Sequence, residues 1–267
     1  MACVATVLFA SEPGPRQAPA YSAATIVNLA SGEAGELAPN TLAVIYGQEL
    51  ATVTRALQAP DLQGGYLPYV LPGTGVTVKV NGLLAGVEYV SPEAVVFVVP
   101  ADLLPGPATV VLTRNALNGP KVKVDLQAVA PALLPYEEGR VLARHGPEGA
   151  WVTAEDPARP GEEVVLYATG LGQTNPPQVN RMVASNRDAL ERGDELRLEA
   201  GGRPVAGSLI AYAGVSPGFA GVYEIRFVLP QRLGPDPEVR LQLGERQSQA
   251  GLRLFAAEAG AAPGSKE

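Results

Sequence analysis

The residues able to carry acid–base, nucleophilic or metal chemistry are few in this sequence. His145 is the only histidine and Cys3 is the only cysteine. A zinc site or a Ser-His-Asp triad needs several such side chains brought together, and His145 stands in Arg-His-Gly-Pro, which is typical of a turn. We therefore expect an exposed turn residue at His145, no catalytic residue, no metal ligand and no cofactor.

Two serines invite an interpretation as nucleophiles. Ser91-Pro92 and Ser216-Pro217 occur at equivalent places in the two halves of the chain, and neither lies in the Gly-x-Ser-x-Gly pattern of a nucleophile elbow. Serine followed by proline favours a turn. We interpret both as turn formers, and the sequence predicts that this protein is not an enzyme.

Acidic residues offer a weak calcium site as an alternative to solvated loops, because extracellular modules bind Ca²⁺ through carboxylate oxygens. Their spacing matches no EF-hand loop, and Arg187 and Arg192 interrupt the second group. Solvated loops are the preferred interpretation for both groups, which are Glu137 and Glu138 with Asp156, and Asp188, Glu191, Asp194 and Glu195.

Tyrosines supply the best candidate for a contact surface. Tyr66 and Tyr69 lie in Gly-Tyr-Leu-Pro-Tyr, a predicted loop that has no counterpart in the second half of the chain. We predict an exposed contact patch at these two residues, with simple loop packing as the alternative. Tyr46 and Tyr167 occupy matching positions on predicted strands, so we expect core or sandwich-corner aromatics rather than a sugar-stacking platform.

Charge and composition narrow the class of partner. The chain of 267 residues has 20 Lys and Arg against 27 Asp and Glu, a net charge of −7, and only 18% charged residues. Neutralising a nucleic-acid backbone needs clustered cations, so no nucleic-acid partner is expected. A single cysteine excludes an intrachain disulfide, and stability must come from packed apolar faces.

The elements that position these residues are repeated. APNTLAVIYGQEL, ending at Leu50, matches ARPGEEVVLYATGL, ending at Leu171, with a shift of 121 residues. AVVFVVPADLLPGPATVVLT matches EIRFVLPQRLGPDPEVRLQL with a shift of 130 residues, which places nine additional residues in the second unit. Insertions between aligned strands belong in loops, and the candidate is the polar segment 180–195, with room for a short helical turn.

Within each unit the periodicity is that of β-strands. Val76, Val78 and Val80 alternate with polar residues and precede Asn81-Gly82, while Leu196-Arg-Leu-Glu-Ala precedes Gly201-Gly202. Alternation predicts half-buried strands, and these dipeptides predict two-residue hairpin turns. The sequence therefore predicts an all-β chain of two tandem sandwiches, at residues 24–129 and 155–256, with a linker and possible hairpin at 130–154 and a disordered tail at 257–267.

The order of these segments resembles the IPT/TIG class of immunoglobulin-like domains. The residues that carry the resemblance are VNLASGEAGELAPNTLAVIYGQELA, VKVNGLLAGVEYVSP, PGEEVVLYATGLGQTNPP and AGVSPGFAGVYEIRFVLP. More narrowly, they are similar to an uncharacterised C-terminal module of exported proteins from Solibacter and other acidobacteria. The resemblance implies an immunoglobulin-like fold, an exported setting and no catalytic residue.

The amino terminus favours export. MACVATVLFA suits the apolar core of a signal peptide and Ala18-Pro19-Ala20 suits its cleavage site, so residues 1–20 are predicted as a truncated signal peptide. No Lys or Arg precedes the run; either the true start lies upstream, or the run is a hydrophobic tail. We expect an extracytoplasmic, secreted or cell-surface module without a transmembrane segment, binding an unknown protein or glycan. The alternative is an architectural spacer without a specific ligand.

Overall fold

The computed structural model describes residues 17–258. Nearly all of its regular structure is short β-strand, and the helical segments are single 3-10 turns at Ala23–Thr25, Ala59–Asp61, Gly193–Glu195 and Gly207–Leu209. The first half contains β1 Ile26–Asn28, β2 Leu42–Tyr46, β3 Arg55–Ala56, β4 Val76–Val80, β5 Leu83–Leu84, β6 Gly86–Val90, β7 Ala94–Val98, β8 Gly106–Arg114, β9 Leu117–Asn118 and β10 Val122–Leu126. The second half contains β11 Ala132–Leu133, β12 Pro135–Glu137, β13 Arg140–Val141, β14 Ala143–His145, β15 Glu163–Thr169, β16 Thr174–Asn175, β17 Ala189–Leu190, β18 Leu196–Ala200, β19 Arg203–Pro204, β20 Ile210–Val215, β21 Tyr223–Val228, β22 Val239–Leu243 and β23 Arg246–Gln247.

The first sandwich packs two antiparallel sheets face to face. One sheet has the order β1-β2-β7-β6-β3, and the other has the order β10-β8-β4-β5 with β9 beside β8. Val76, Val78 and Val80 are buried while Lys79 is exposed, as the alternation predicts. Phe97 and Leu112 come from opposite sheets and are buried in the same core cluster. Burial of these alternate apolar positions is the main driving force for the fold.

The second sandwich repeats this plan. Its larger sheet has the order β11-β15-β21-β20-β17-β16, with β14 also paired to β15, and its smaller sheet has the order β19-β18-β22-β23. The segment predicted as a linker, 130–154, contains β11 to β14, and two of these strands pair with β15. β12 and β13 pair with each other as a short hairpin, and an antiparallel bridge joins Arg144 to Trp151 across the segment 146–150. The linking stretch therefore belongs to the larger sheet of the second sandwich, because β11 and β14 pair along one edge of β15 while β21 pairs along the other.

Matched residues of the two repeats take matched positions. Phe97 pairs with Ala43 between β7 and β2, and Phe227 pairs with Val164 between β21 and β15. Both neighbouring strands, β6 and β20, carry a bulge at the corresponding place. The prediction of an all-β chain with two tandem immunoglobulin-like sandwiches is confirmed.

The predicted hairpin turns are also confirmed. Asn81 and Gly82 have φ angles of 48° and 83° between β4 and β5. Gly201 and Gly202, with φ angles of 59° and 70°, join β18 to β19. Left-handed backbone at both central residues matches the strand twist, and Asn and Gly adopt it at little cost.

Two aromatic predictions have different outcomes. Tyr167 is buried, but it lies between the sandwiches rather than inside one. Tyr46 does not take a core position, because its side chain is 49% exposed at the end of β2.

Residues 1–16 of the predicted signal peptide and 259–267 of the predicted tail lie outside the described part of the chain. Within 17–258, none of the helices has the length and hydrophobicity needed to cross a membrane.

The two sandwiches share an apolar interface. Leu42 and Val98 from the first contact Ala220 and Val222 from the second, and Tyr167 belongs to the same cluster. Hydrogen bonds cross the interface as well: Leu42 N donates to Thr169 Oγ1 at 2.8 Å, and Asn40 Nδ2 donates to Tyr223 Oη at 3.0 Å. Because apolar packing and buried hydrogen bonds act together, the two sandwiches form one unit.

Candidate functional site

His145 does not occupy the exposed turn that its sequence predicts. It ends β14, and the turn begins at Gly146. Its side chain is 17% exposed, with Nδ1 against Glu162 and Nε2 hydrogen bonded to the carbonyl oxygen of Asp156 at 3.0 Å. Burial acts to lower the pKa of His145, but the hydrogen bonds and charges of Glu162 and Asp156 outweigh it and raise the pKa. The histidine closes a loop between two segments of the second sandwich.

The predicted turn serines have structural partners. Ser91 Oγ accepts hydrogen bonds from the backbone of Glu93 and Ala94, at 3.2 and 3.0 Å. Ser216 is buried, with Oγ 3.4 Å from a carboxylate oxygen of Glu224. The acidic residues of the two predicted loops are spread out, and between residues 17 and 258 no three His, Cys, Asp or Glu side chains converge as metal ligands would.

Tyr66 and Tyr69, by contrast, line a surface cleft of about 330 Å³, here called the tyrosine cleft. The two side chains are 37% and 46% exposed. The residues lining the cleft are Asp61, Gln63, Tyr66, Leu67, Pro68, Tyr69, Val70 and Arg181. All but Arg181 belong to the loop of the first sandwich that lacks a counterpart in the second.

A tight turn and a buried leucine hold the loop. Gly64 and Gly65 have φ angles of 61° and 81°, and Gln63 and Tyr66 exchange backbone hydrogen bonds around them. Leu67 is buried over Gly86, where any Cβ would lie 2.7 Å from a methyl carbon of Leu67. Close approach of this kind requires glycine. The loop therefore presents its tyrosines from a fixed backbone.

The second sandwich completes the cleft through its inserted segment. Leu67 N donates to Arg181 O at 2.8 Å, and Val183 N donates to Gly65 O at 2.8 Å. Arg181 Nη1 also donates to Leu67 O at 2.8 Å. A short ladder thus joins the loop of one sandwich to the insertion of the other, and its hydrogen bonds fix the position of Arg181.

The guanidinium of Arg181 lies near both tyrosine rings. It is 6.0 Å from the ring centroid of Tyr66 and 5.6 Å from that of Tyr69, within the range of cation–π attraction. Arg181 was not predicted from the sequence. The available signal was the nine-residue insertion, which the repeat places between residues 180 and 195.

The carboxylate in the cleft is already neutralised. Asp61 binds Arg55 Nη2 through both oxygens, at 2.7 and 3.0 Å, and accepts the backbone hydrogen of Gln58 at 3.0 Å. Within residues 17–258, no carboxylate forms an ion pair with Arg181. The cleft therefore offers two aromatic faces and one cationic donor group, which suits a ligand with apolar ring faces and oxygen acceptors.

A second aromatic surface lies on the outer face of the larger sheet of the second sandwich. Trp151 is 44% exposed, packs 5.7 Å from Tyr167 and has the guanidinium of Arg144 5.0 Å from its ring. Arg226 lies 5.5 Å from the ring of Tyr212 on the same sheet. Trp151 is thus partly open to solvent and packed against Tyr167, which lies in the interface between the two sandwiches. Its fluorescence therefore reports on that interface.

Known proteins are only remotely similar to this chain. No protein-family model matches the chain, and neither does any curated protein. Among solved structures, a surface glycan-binding protein of Prevotella bryantii, PbSGBP-B, is 12% identical over 89% of this chain and 42% of its own, with a TM-score of 0.27.

Two further structures are similar at the same level. SGBP-B of a Bacteroides ovatus mixed-linkage glucan utilization locus, solved with a mixed-linkage heptasaccharide, is 12% identical over 92% of this chain and 47% of its own, with a TM-score of 0.34. Domains 5-6 of the S-layer protein SbsC are 10% identical over 90% of this chain and 99% of theirs, with a TM-score of 0.27. The chain spans less than half the length of the two glycan-binding proteins. These values carry no argument about its own ligand.

Proposed function

We propose that this chain is a non-catalytic binding module of the cell surface or of a secreted protein, and that the tyrosine cleft holds a glycan. The observation that carries the proposal is the pair of half-exposed rings, Tyr66 and Tyr69, both close to the Arg181 guanidinium. The resemblance of the sequence to IPT/TIG domains and the apolar amino-terminal run support the exported setting.

The chemistry of a sugar ring matches the cleft. A pyranose has a face of C–H groups and a rim of hydroxyl groups, so it can stack on an aromatic ring while its oxygens accept hydrogen bonds from a guanidinium. Arginine donates from five N–H groups in a planar arrangement. Since the backbone on both sides of the cleft is hydrogen bonded, little conformational entropy is lost when a ligand binds.

The test measures binding of purified protein to a panel of neutral and acidic polysaccharides by affinity electrophoresis, followed by calorimetry on the best ligand. Replacing Tyr66 and Tyr69 together with Ala removes two stacking contacts of about 1 kcal/mol each. The dissociation constant should therefore rise roughly 30-fold.

The matched control replaces Tyr46 and Tyr136 with Ala, because these tyrosines are 49% and 48% exposed and lie outside the cleft. Affinity should be unchanged in the control, and both variants should keep the native melting temperature. A panel without any ligand, or an equal loss in the two variants, would favour the alternative of an architectural spacer.

A further inference from the structure

The strongest charge feature outside the tyrosine cleft is a lysine-bearing face of the first sandwich. The sequence has four lysines, and three of them, Lys79, Lys121 and Lys123, are exposed on the outer face of the sheet that contains β4, β8 and β10. This concentration occurs in a chain whose net charge is −7. We call this surface the lysine face.

Strand register sets the backbone spacing of the three lysines. Lys79 pairs with Val111, and Lys123 pairs with Thr109. Continuing the register of β10 by one residue places Lys121 opposite Val111, on its other side. Two strand spacings then separate the backbones of Lys79 and Lys121 by about 10 Å, and two residues of strand separate Lys121 and Lys123 by about 7 Å.

The surface between Lys79 and Lys121 is an open cleft of about 690 Å³ with hydrogen-bonding walls. Its lining consists of Lys79, Asn81, Gly82, Thr109, Val111, Thr113, Asn118, Gly119 and Lys121. Thr113 Oγ1 donates to Asn118 Oδ1 at 2.7 Å, and this bond orients the Asn118 amide. Hydroxyl and amide groups thus accompany the cations along the whole cleft.

One rim of the cleft is held rigidly by Tyr21. Its hydroxyl donates to Pro120 O at 2.7 Å and accepts the backbone hydrogen of Leu112 at 2.7 Å. Gly119 lies so close to this ring that a Cβ there would be 2.5 Å from a ring carbon. The backbone that carries Lys121 is therefore fixed against β8.

The three ammonium groups on this face have no ion-pair partner within residues 17–258. Asp125 shares the outer face of β10, two residues beyond Lys123. Three lysines and one aspartate leave this face with a net positive charge, which attracts an anionic ligand.

We propose that the lysine face is a second binding site, independent of the tyrosine cleft, for a linear polysaccharide that carries carboxylate or sulfate groups. Duplex DNA carries one charge per about 1.7 Å of axis, and proteins that bind it neutralise many phosphates. Three cations in a chain with a net charge of −7 supply few such contacts, which disfavours a nucleic acid. Threonine and asparagine between them suit the hydroxyl groups of sugars.

The experiment titrates the native protein with polygalacturonate and with dextran sulfate, which separate carboxylate from sulfate recognition. Fully methyl-esterified pectin and dextran are the neutral counterparts. We expect binding to at least one polyanion and none to the neutral polymers. Lys79→Gln, Lys121→Gln and Lys123→Gln together should weaken binding by about tenfold and reduce the dependence of affinity on salt concentration.

The matched control is Arg197→Gln, Arg203→Gln and Arg232→Gln, which changes the net charge equally at three exposed positions of the second sandwich. This control, and the double alanine variant of Tyr66 and Tyr69, should bind the polyanion as the native protein does. If the native protein bound no neutral glycan, the proposal for the tyrosine cleft would fail, but the expected binding of the polyanion to the lysine face would be unchanged. Absence of polyanion binding at low salt, equal loss in the arginine control, or equal affinity for single-stranded or duplex DNA would overturn the proposal. So would self-association that is abolished by the lysine changes, because the face would then contact a second copy of the chain.

Discussion

The hydrogen bond between Asn40 and Tyr223 provides a direct test of how the two sandwiches are coupled. Tyr223 is fully buried in the second sandwich, and burial raises the pKa of its phenol, so the hydroxyl keeps its proton. That hydroxyl accepts the amide hydrogen of Asn40 at 3.0 Å and donates to Gly172 O. Tyr223→Phe removes both bonds with almost no change in shape.

The expected magnitude comes from those two bonds. Each neutral hydrogen bond contributes about 1 kcal/mol, and buried partners left without a bond add to the loss. The free energy of unfolding should therefore fall by about 2 to 3 kcal/mol in Tyr223→Phe, and the melting temperature by roughly 5 to 10 °C for a protein of this size. Asn40→Gly preserves the φ angle of 60° at this position and removes only the first bond.

The assay is a double-mutant cycle measured by urea denaturation, followed by far-ultraviolet circular dichroism and by Trp151 fluorescence. The coupling energy between the two changes should be about 1 kcal/mol. Tyr212→Phe is the control, because Tyr212 Oη contacts only carbonyl oxygens of the second sandwich, at Asp188 and Val215. A coupling energy indistinguishable from zero, or the same value in the Tyr212 control cycle, would refute the assignment of this bond to the interface.

Two further changes test other parts of the fold. Burial raises the pKa of Glu88 to about 7, so the folded state gains stability from this group below pH ~4.3, the pKa of an unfolded glutamate, and loses it as the pH rises through 7. Glu88→Gln should therefore raise the free energy of unfolding at pH 8 by on the order of 1 to 2 kcal/mol and have little effect at pH 4. The control, Glu33→Gln at an exposed position, should leave the free energy of unfolding unchanged at both pH values. Thermal melts at pH 4 and pH 8 would contradict the argument if the two variants behaved alike. Gly170→Ala would place a Cβ 2.0 Å from Ala130 O at a φ angle of 74°, so we expect a loss of at least about 3 kcal/mol, and a native melting temperature would show that the β11–β15 junction is not packed as described.

Local periodicity was sufficient to predict the strands and turns. The side chains of Val76, Val78 and Val80 must share one face because a strand has a period of two residues. Asn81-Gly82 and Gly201-Gly202 specify their turns through backbone conformations that other residues adopt at greater cost. The repeat then predicted the fold, since two copies of one pattern bury their apolar faces in the same way.

The burial of side chains outside the two sandwich cores could not be predicted from this periodicity. Tyr46 and Tyr167 occupy equivalent positions in the repeat, yet Tyr46 is exposed and Tyr167 lies against the first sandwich. His145 was predicted in an exposed turn, but Glu162 and Asp156 enclose it. In each case the partner is distant in sequence or belongs to the other sandwich, so the local pattern contains no information about it.

The sequence by itself determined the all-β class, the two sandwiches and the loop that carries Tyr66 and Tyr69, because these follow from short-range periodicity and turn chemistry. Only the tertiary structure decided that Arg181 reaches those tyrosines, 114 residues beyond Leu67, whose carbonyl oxygen it binds. It also decided that residues 130–154 join the second sheet and that three lysines share one face. Such juxtapositions depend on the docking of whole elements, which is set by packing over the entire chain.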